Sequence, residues 1–315
     1  MSSPAVSIRD IRKTYHATKK SPAKEALKGI SLDVPRGSFF GLLGPNGAGK
    51  STLINIMSGL VVKTSGTVEI CGYDIERDLR KARGSIGVVP QELVLDVFFT
   101  VREALELHAG YYGVPAAKRR TDEIINAMGL EDKAHVPPRQ LSGGMRRRLL
   151  IAKALVHAPP VLILDEPTAG VDVELRMQLW EYVRELNKQG TTVLLTTHYL
   201  EEAEELCDTI AIINHGTLIK MDSTRELMKH FDNKEVVITS AQAHAVPPQL
   251  SEAFETSIDE EGRLVLRYQP SKYTVPQVLE QVRNAGIEIH DLATREAELE
   301  DVFRSITNKP DSMAS

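Results

Sequence analysis

The chain has 315 residues, 42% of them hydrophobic, and its 38 Lys and Arg against 43 Asp and Glu give a formal charge of −5, enough apolar material for one large domain or two ordinary ones. The acidic excess lies in residues 232–315, with 8 basic and 15 acidic side chains, so no basic asymmetry points to nucleic acid. Cys71 and Cys207 form no metal-spaced cluster, MSSPAVSIRD is no signal peptide, and runs such as VLIL at Val161–Leu164 are too short to span a membrane, so two free thiols in a reducing compartment are expected.

In chain order, strand-like runs at Val6–Arg9, Ala26–Val34 and Ser38–Leu43 are punctuated by the turn signal PRG at Pro35–Gly37. FFGLLGPNGAGKSTLINIMSGL then passes from a buried strand through a glycine-rich loop into a helix from about Lys50. GTVEICG and SIGVVPQ read as two further strands. Between Thr100 and His157 the apolar spacing turns helical, first at Val101, Ala104, Leu105 and His108, then at Ile124, Ile125 and Met128. Strand and helix alternate again through VLILDEPT, a helix from about Val173 to Lys188, TTVLLTTH, a helix over Tyr199–Leu206, and TIAIINHG with LIKMD. Apolar strands separated by helices imply a largely parallel sheet covered on both faces. EVVITS, RLVLRY, a helix near Tyr273–Ala285 and IEIHDL read as a small α+β appendage.

Chemistry concentrates in three stretches. GPNGAGKST, from Gly44 through Pro45, Asn46, Gly47, Ala48, Gly49, Lys50 and Ser51 to Thr52, matches GxxxxGK[ST] after a strand and at the opening of a helix. The glycines let backbone N–H groups approach phosphate, the helix N-terminus favours negative charge, Lys50 reaches the β- and γ-phosphates, and Ser51 ligates Mg²⁺. VLILDEP puts Asp165 and Glu166 at the carboxyl end of a buried strand, where ligands bind in open α/β sheets. Asp165 is placed to hold Mg²⁺ and Glu166 to orient or deprotonate an attacking water. LSGGMRRRLLIAKAL, from Leu141, sets two glycines and three arginines at the start of a helix, an arrangement that local stability disfavours. A second anion cradle explains the bare backbone. Arg146, Arg147 and Arg148 read equally as a solvated face or as electrostatic support for bound phosphate.

With LSGG in place, the chain resembles the ATP-binding-cassette (ABC) family, whose signature is LSGGQ; Met145 stands where glutamine is usual, a departure common in the ATP-binding subunits of ABC-2-type exporters. The resemblance covers residues 5 to about 230. It implies a P-loop NTPase core at 1–232 with a helical subdomain at about 92–157, then a small α+β domain at 233–308 and a tail at 309–315. It further implies that Gln91, in VVPQE, senses metal and water, that Asp172, in AGVD, bridges two subunits, that His198, closing TTVLLTTH, contacts the γ-phosphate, and that Tyr15 stacks on adenine.

One chain holds one phosphate loop and one signature, Ser142, Gly143 and Gly144, so a complete site calls for a head-to-tail pair of chains around two ATP. The implied partners are a second copy and an integral-membrane ABC-2-type permease, with the subunit peripheral on the cytoplasmic face of the inner membrane and no nucleic acid bound. Phe98 and Phe99, in DVFFTVRE, either dock the permease or pack beneath the helical block. An importer subunit and a soluble ATPase acting on nucleic acid or ribosomes are the alternatives.

Overall fold

Every residue of Phe39–Leu43, Val161–Asp165 and Thr192–Thr196 is buried, as expected of parallel strands covered on both faces. The computed structural model describes residues 3–17, 22–92, 94–96, 98–168, 173–197, 199–229, 234–240, 246–259, 261–270 and 272–296. The chain divides into two compact units, one ending at Ser223 and the other beginning at Thr224.

The first unit opens with β1 (Val6–Tyr15), β2 (Lys24–Val34), β3 (Phe39–Leu43), α1 (Lys50–Met57), β4 (Ser65–Ile70), β5 (Tyr73–Asp74), α2 (Leu79–Gly84) and β6 (Ile86–Val89). A helical block of α3 (Val101–Tyr111), α4 (Thr121–Ala127) and α5 (Gly143–Leu155) follows. Strand and helix then alternate as β7 (Val161–Asp165), α6 (Val173–Lys188), β8 (Thr192–Thr196), α7 (Leu200–Leu206), β9 (Thr209–Asn214) and β10 (Thr217–Ser223).

Among the described residues the unit holds two sheets. One has the order β2-β1-β4-β5 and is antiparallel; the other has the order β10-β9-β3-β8-β7-β6 and is parallel except at β10. Leu53, Ile54, Ile56 and Met57 of α1 join a core that takes Ile8, Ile11, Leu27 and Ile30 from the antiparallel sheet and Phe40, Leu42, Ile163 and Leu194 from the parallel one. Because β3, β6, β7 and β8 run in one direction, their carboxyl ends share one edge. The segments that follow, Gly44–Gly49, Pro90–Gln91, Glu166–Thr168 and Thr197, are thereby brought together.

The expected first strand stopped at Arg9, but β1 continues to Tyr15. Ile8 pairs with Leu32 and Ile11 with Ile30, so Arg9 and Asp10 form a bulge in which Asp10 takes φ 43°. The extra residue breaks the alternation of buried and exposed positions that a sequence reader follows, and it carries the strand on until Tyr15 stands at its end.

The second unit contains α8 (Thr224–Lys229), β11 (Lys234–Thr239), α9 (Pro248–Ala253), β12 (Glu255–Ile258), β13 (Leu264–Tyr268), α10 (Val275–Asn284) and β14 (Asp291–Glu296). Its antiparallel sheet has the order β12-β13-β11-β14. Val236, Ile238, Leu264 and Leu266 pack with Leu250 of α9 and Val278 and Val282 of α10. Among the described residues no helix is long and apolar enough to cross a membrane, and both cysteines are free thiols.

Candidate nucleotide site

Gly49 caps α1 with φ 113°, a left-handed conformation that glycine adopts without steric cost, and a Cβ there would lie 2.7 Å from the Leu27 side chain. At Gly44 a Cβ would meet the Ile213 carbonyl at 2.2 Å. Gly47 also takes a left-handed φ, 81°, but a Cβ there would meet nothing within 4 Å. The loop therefore arches over α1 with its backbone uncovered at Gly47. Inside the arch Lys50, only 7% exposed, donates from Nζ to the carbonyls of Gly44 at 2.7 Å and Pro45 at 3.3 Å. Burial pulls its ammonium below the usual lysine range, and the charges of Glu166 and Asp165 oppose that shift.

A cavity of about 380 Å³ opens over this loop, lined among the described residues by Tyr15, Lys24, Ala26, Asn46 through Thr52, Gln91 and Glu166. Tyr15 stands at the end of β1, 40% exposed, with the Lys13 ammonium 4.9 Å from its ring centre. Lys24, opposite Tyr15 in the β1–β2 register, also reaches the cavity. The strand-like run expected here began only at Ala26 and so left Lys24 out; the feature that singles it out is its cross-strand pairing with Tyr15.

Asp165 ends β7 opposite Thr196 of β8, whose hydroxyl donates to Asp165 Oδ1. Burial pushes the Asp165 carboxyl above the usual range, against the pull of that hydrogen bond. The next residue, Glu166, turns out of the strand with φ 48°, and its N–H is held by the Thr196 carbonyl at 3.0 Å and hydroxyl at 3.2 Å. That turn sends two adjacent carboxylates in different directions. Gln91, just past β6, donates from Nε2 to Glu166 Oε2 at 2.8 Å.

The signature stretch is built differently. Ser142 caps α5, accepting from the Met145 N–H at 3.2 Å, and Ser142 and Gly143 are exposed while Gly144 is half-buried. A Cβ at Gly143 would meet nothing within 4 Å, so packing inside the chain does not require the glycine. Ser142, Gly143 and Gly144 are not among the residues that line the cavity. Of the other expected site residues, Asp172 and His198 lie outside the described residues. Next to His198 in sequence, Thr197 donates to the buried Glu202 at 2.8 Å and accepts from the Tyr199 N–H at 2.9 Å.

The arginine run is not a solvated face: Arg147 is buried and Arg146 and Arg148 are half-buried. Arg146 donates to the carbonyls of Pro138 and Arg139, and Arg148 to those of Met128 and Gly129. Arg147, 4% exposed, sends its guanidinium into the sheet edge below Gln91 and Glu166. The sequence does carry a signal for this, because Arg147 falls on the same helical stripe as the buried Leu150, Ile151 and Ala154.

Phe98 is 89% exposed and Phe99 36%, which decides against packing of the first ring beneath the helical block. Val94, Leu107 and Tyr111 are exposed as well.

Comparison with known proteins places this geometry. The family described as ABC transporter matches residues 27–169, and the "Nod factor export ATP-binding protein I" of Ralstonia nicotianae is 38% identical over 98% of this chain and 95% of its own length. The chain belongs to the ABC transporter family of ATP-binding subunits. A daunorubicin resistance ATP-binding protein of Streptomyces coeruleorubidus is also 38% identical, over 92% of this ABC subunit and 94% of its own length. A solved dimeric ATP-binding cassette, in a post-hydrolysis state bound to ADP and Pi, superposes with a TM-score of 0.64 at 30% identity, covering 70% of this chain and 99% of that one. The ABC subunit is accordingly an ATPase on a P-loop core, and relatives named for export and resistance favour export over import.

Proposed function

We propose that this chain is the ATP-hydrolysing subunit of an ABC-2-type exporter, working as a head-to-tail pair that closes around two ATP and drives a separate membrane permease from the cytoplasmic face of the inner membrane. In this reading Tyr15 stacks on the adenine, residues Gly44 to Thr52 cradle the phosphates, and Lys50 exchanges its two loop carbonyls for phosphate oxygens. The Ser51 hydroxyl, the Gln91 amide oxygen and the Asp165 carboxylate form an all-oxygen donor set, and Asp165 is a carboxylate whose charge burial disfavours. Such a set fits Mg²⁺, which takes few protein oxygens and completes its shell with phosphate and water. Bound there, the ion would offset phosphate charge. Glu166 accepts the proton of the attacking water, with Gln91 fixing one of its oxygens.

Ser142, Gly143 and Gly144 would present the start of α5 to the nucleotide of the second copy, Asp172 would bridge the pair, and His198 would meet the γ-phosphate. ATP then belongs to the interface, and its hydrolysis removes the group that favours the closed state. The exposed Phe98 and Phe99 would seat the permease. Residues 1–232 would form the nucleotide-binding domain, and 233–308 an accessory domain.

The observation that carries this reading is the Gln91–Glu166 hydrogen bond at the mouth of the phosphate-loop cavity, which joins the expected water-activating pair to Lys50 in one site. Glu166→Gln tests it. The variant should bind ATP, lose hydrolysis and elute as an ATP-dependent dimer. Hydrolysis at the wild-type rate would refute the role of Glu166, and a monomer with ATP bound would remove support for the closed pair.

A further inference from the structure

Arg147 sits on the second turn of α5 and is buried; among the described residues no side-chain carboxylate accepts a hydrogen bond from it, although the charges of Asp165 and Glu166 lie close enough to favour the cation. Its Nε donates to the Pro167 carbonyl at 2.7 Å, and Nη1 to those of Pro90 at 2.8 Å and Gln91 at 2.9 Å. Its Nη2 donates to the carbonyls of Asp165, at 3.3 Å, and Glu166. A guanidinium has five N–H groups, and all five end on backbone carbonyls of two segments, the exit of β6 and the exit of β7. Those segments carry Gln91 and Glu166. Burying a cation costs free energy unless its donors are satisfied, and a basic residue near a helix N-terminus opposes the dipole. An apolar side chain on the buried stripe would leave those five carbonyls without their donor, so the cation is what holds the two segments against α5.

We propose that Arg147 is a positioning residue that fixes the backbone beneath Gln91 and Glu166 and ties this hydrolytic edge to the helix carrying Ser142–Gly144. The inference rests on the reading of Glu166 as the water-activating base. Because α5 begins at the signature and reaches the hydrolytic edge one turn later, a displacement of the signature by a second chain's nucleotide is transmitted to this chain's own Gln91–Glu166 pair. Lysine cannot replace the arginine, since a single Nζ with three donors does not span carbonyls on two segments.

The test uses the full chain with Arg147→Met, Arg147→Lys, Gln91→Ala, the double variant Arg147→Met/Gln91→Ala, and Arg148→Met as a control tethered to a different loop. The expected result is that both Arg147 variants bind a fluorescent ATP analogue within about 3-fold of wild type while kcat falls about 100-fold, the size of a small misplacement of a reacting group. Arg148→Met should lower the thermal midpoint without changing kcat per folded molecule. In the double variant the two losses should not multiply, because Arg147 acts through Gln91 and its neighbour. A folded Arg147→Met with kcat within about 3-fold of wild type, or losses that multiply with those of Gln91→Ala, would overturn the proposal. Should Arg147→Met fail to fold, Arg147→Lys is read by the same criteria. Glu166→Gln run alongside separates the two readings: an active Glu166→Gln sinks the base assignment, whereas an inactive Glu166→Gln with fully active Arg147 variants sinks only the role of Arg147.

Discussion

Among the described residues the Ser142 side chain makes one hydrogen bond, the cap it provides to the Met145 N–H at 3.2 Å, and the residue is exposed. The structural and functional costs of changing it can therefore be separated. Ser142→Ala removes the cap at about 1 kcal/mol. For a unit of this size that lowers the thermal midpoint by roughly 2–4 °C. Ser142→Asp keeps an equally good cap and should leave the midpoint near wild type, with a small gain from an acid at a helix N-terminus. If Ser142 faces a γ-phosphate of the second copy, the order of effects on hydrolysis is reversed. Ser142→Ala should lose about 100-fold in kcat, as for removal of one donor to developing charge. Ser142→Asp, which sets an anion against the triphosphate, should abolish both hydrolysis and ATP-dependent dimerisation. Steady-state ATPase rates, sizing in the Glu166→Gln background and thermal melts give the three readouts. An active Ser142→Asp, or an activity loss in Ser142→Ala that merely follows its folded fraction, would refute the assignment.

Phe98→Ala/Phe99→Ala should leave the ATPase rate of the isolated chain per folded molecule unchanged; Phe98, 89% exposed, contributes within about 0.5 kcal/mol to stability, so any fall in the thermal midpoint comes from Phe99, 36% exposed. Substrate-stimulated ATPase with the permease present should be lost, and full stimulation in the double variant would remove this face as the docking surface. For Asp165 the prediction is one of pH. Burial raises its carboxyl in the folded chain, so its contribution favours folding at low pH and is lost as pH rises through the carboxylate range to the raised value. Asp165→Asn removes that loss. Without nucleotide the variant should melt above wild type at neutral pH, and the gap should close on acidification. Equal midpoints at neutral pH would show that Lys50 and Arg147 fully compensate the buried charge.

How legible this was in the sequence varies with the physics involved. The phosphate loop is readable because backbone geometry selects its residues directly: φ 113° at Gly49 and the close approach at Gly44 admit little but glycine. Asp165 and Glu166 follow from their place at the end of an apolar run, which a parallel sheet buries and whose carboxyl end it exposes. Arg147 and Lys24 were not legible in the same way. The destination of a long cationic side chain depends on which loops fold around it, and a run of three arginines gives no hint that each reaches a different set of carbonyls. Thr196, which holds both the Asp165 carboxylate and the Glu166 backbone, reads in sequence as one more β-branched strand residue.

The proposed sharing of each nucleotide site between two copies of the chain is tested most directly by mixing two inactive variants. Lys50→Ala spoils the phosphate loop and keeps the signature; Ser142→Asp does the reverse. A mixed pair holds one site with both halves intact, so an equimolar mixture should recover up to about a quarter of wild-type ATPase activity if pairing is random and sites act independently. A mixture no more active than the two variants measured apart would contradict the claim.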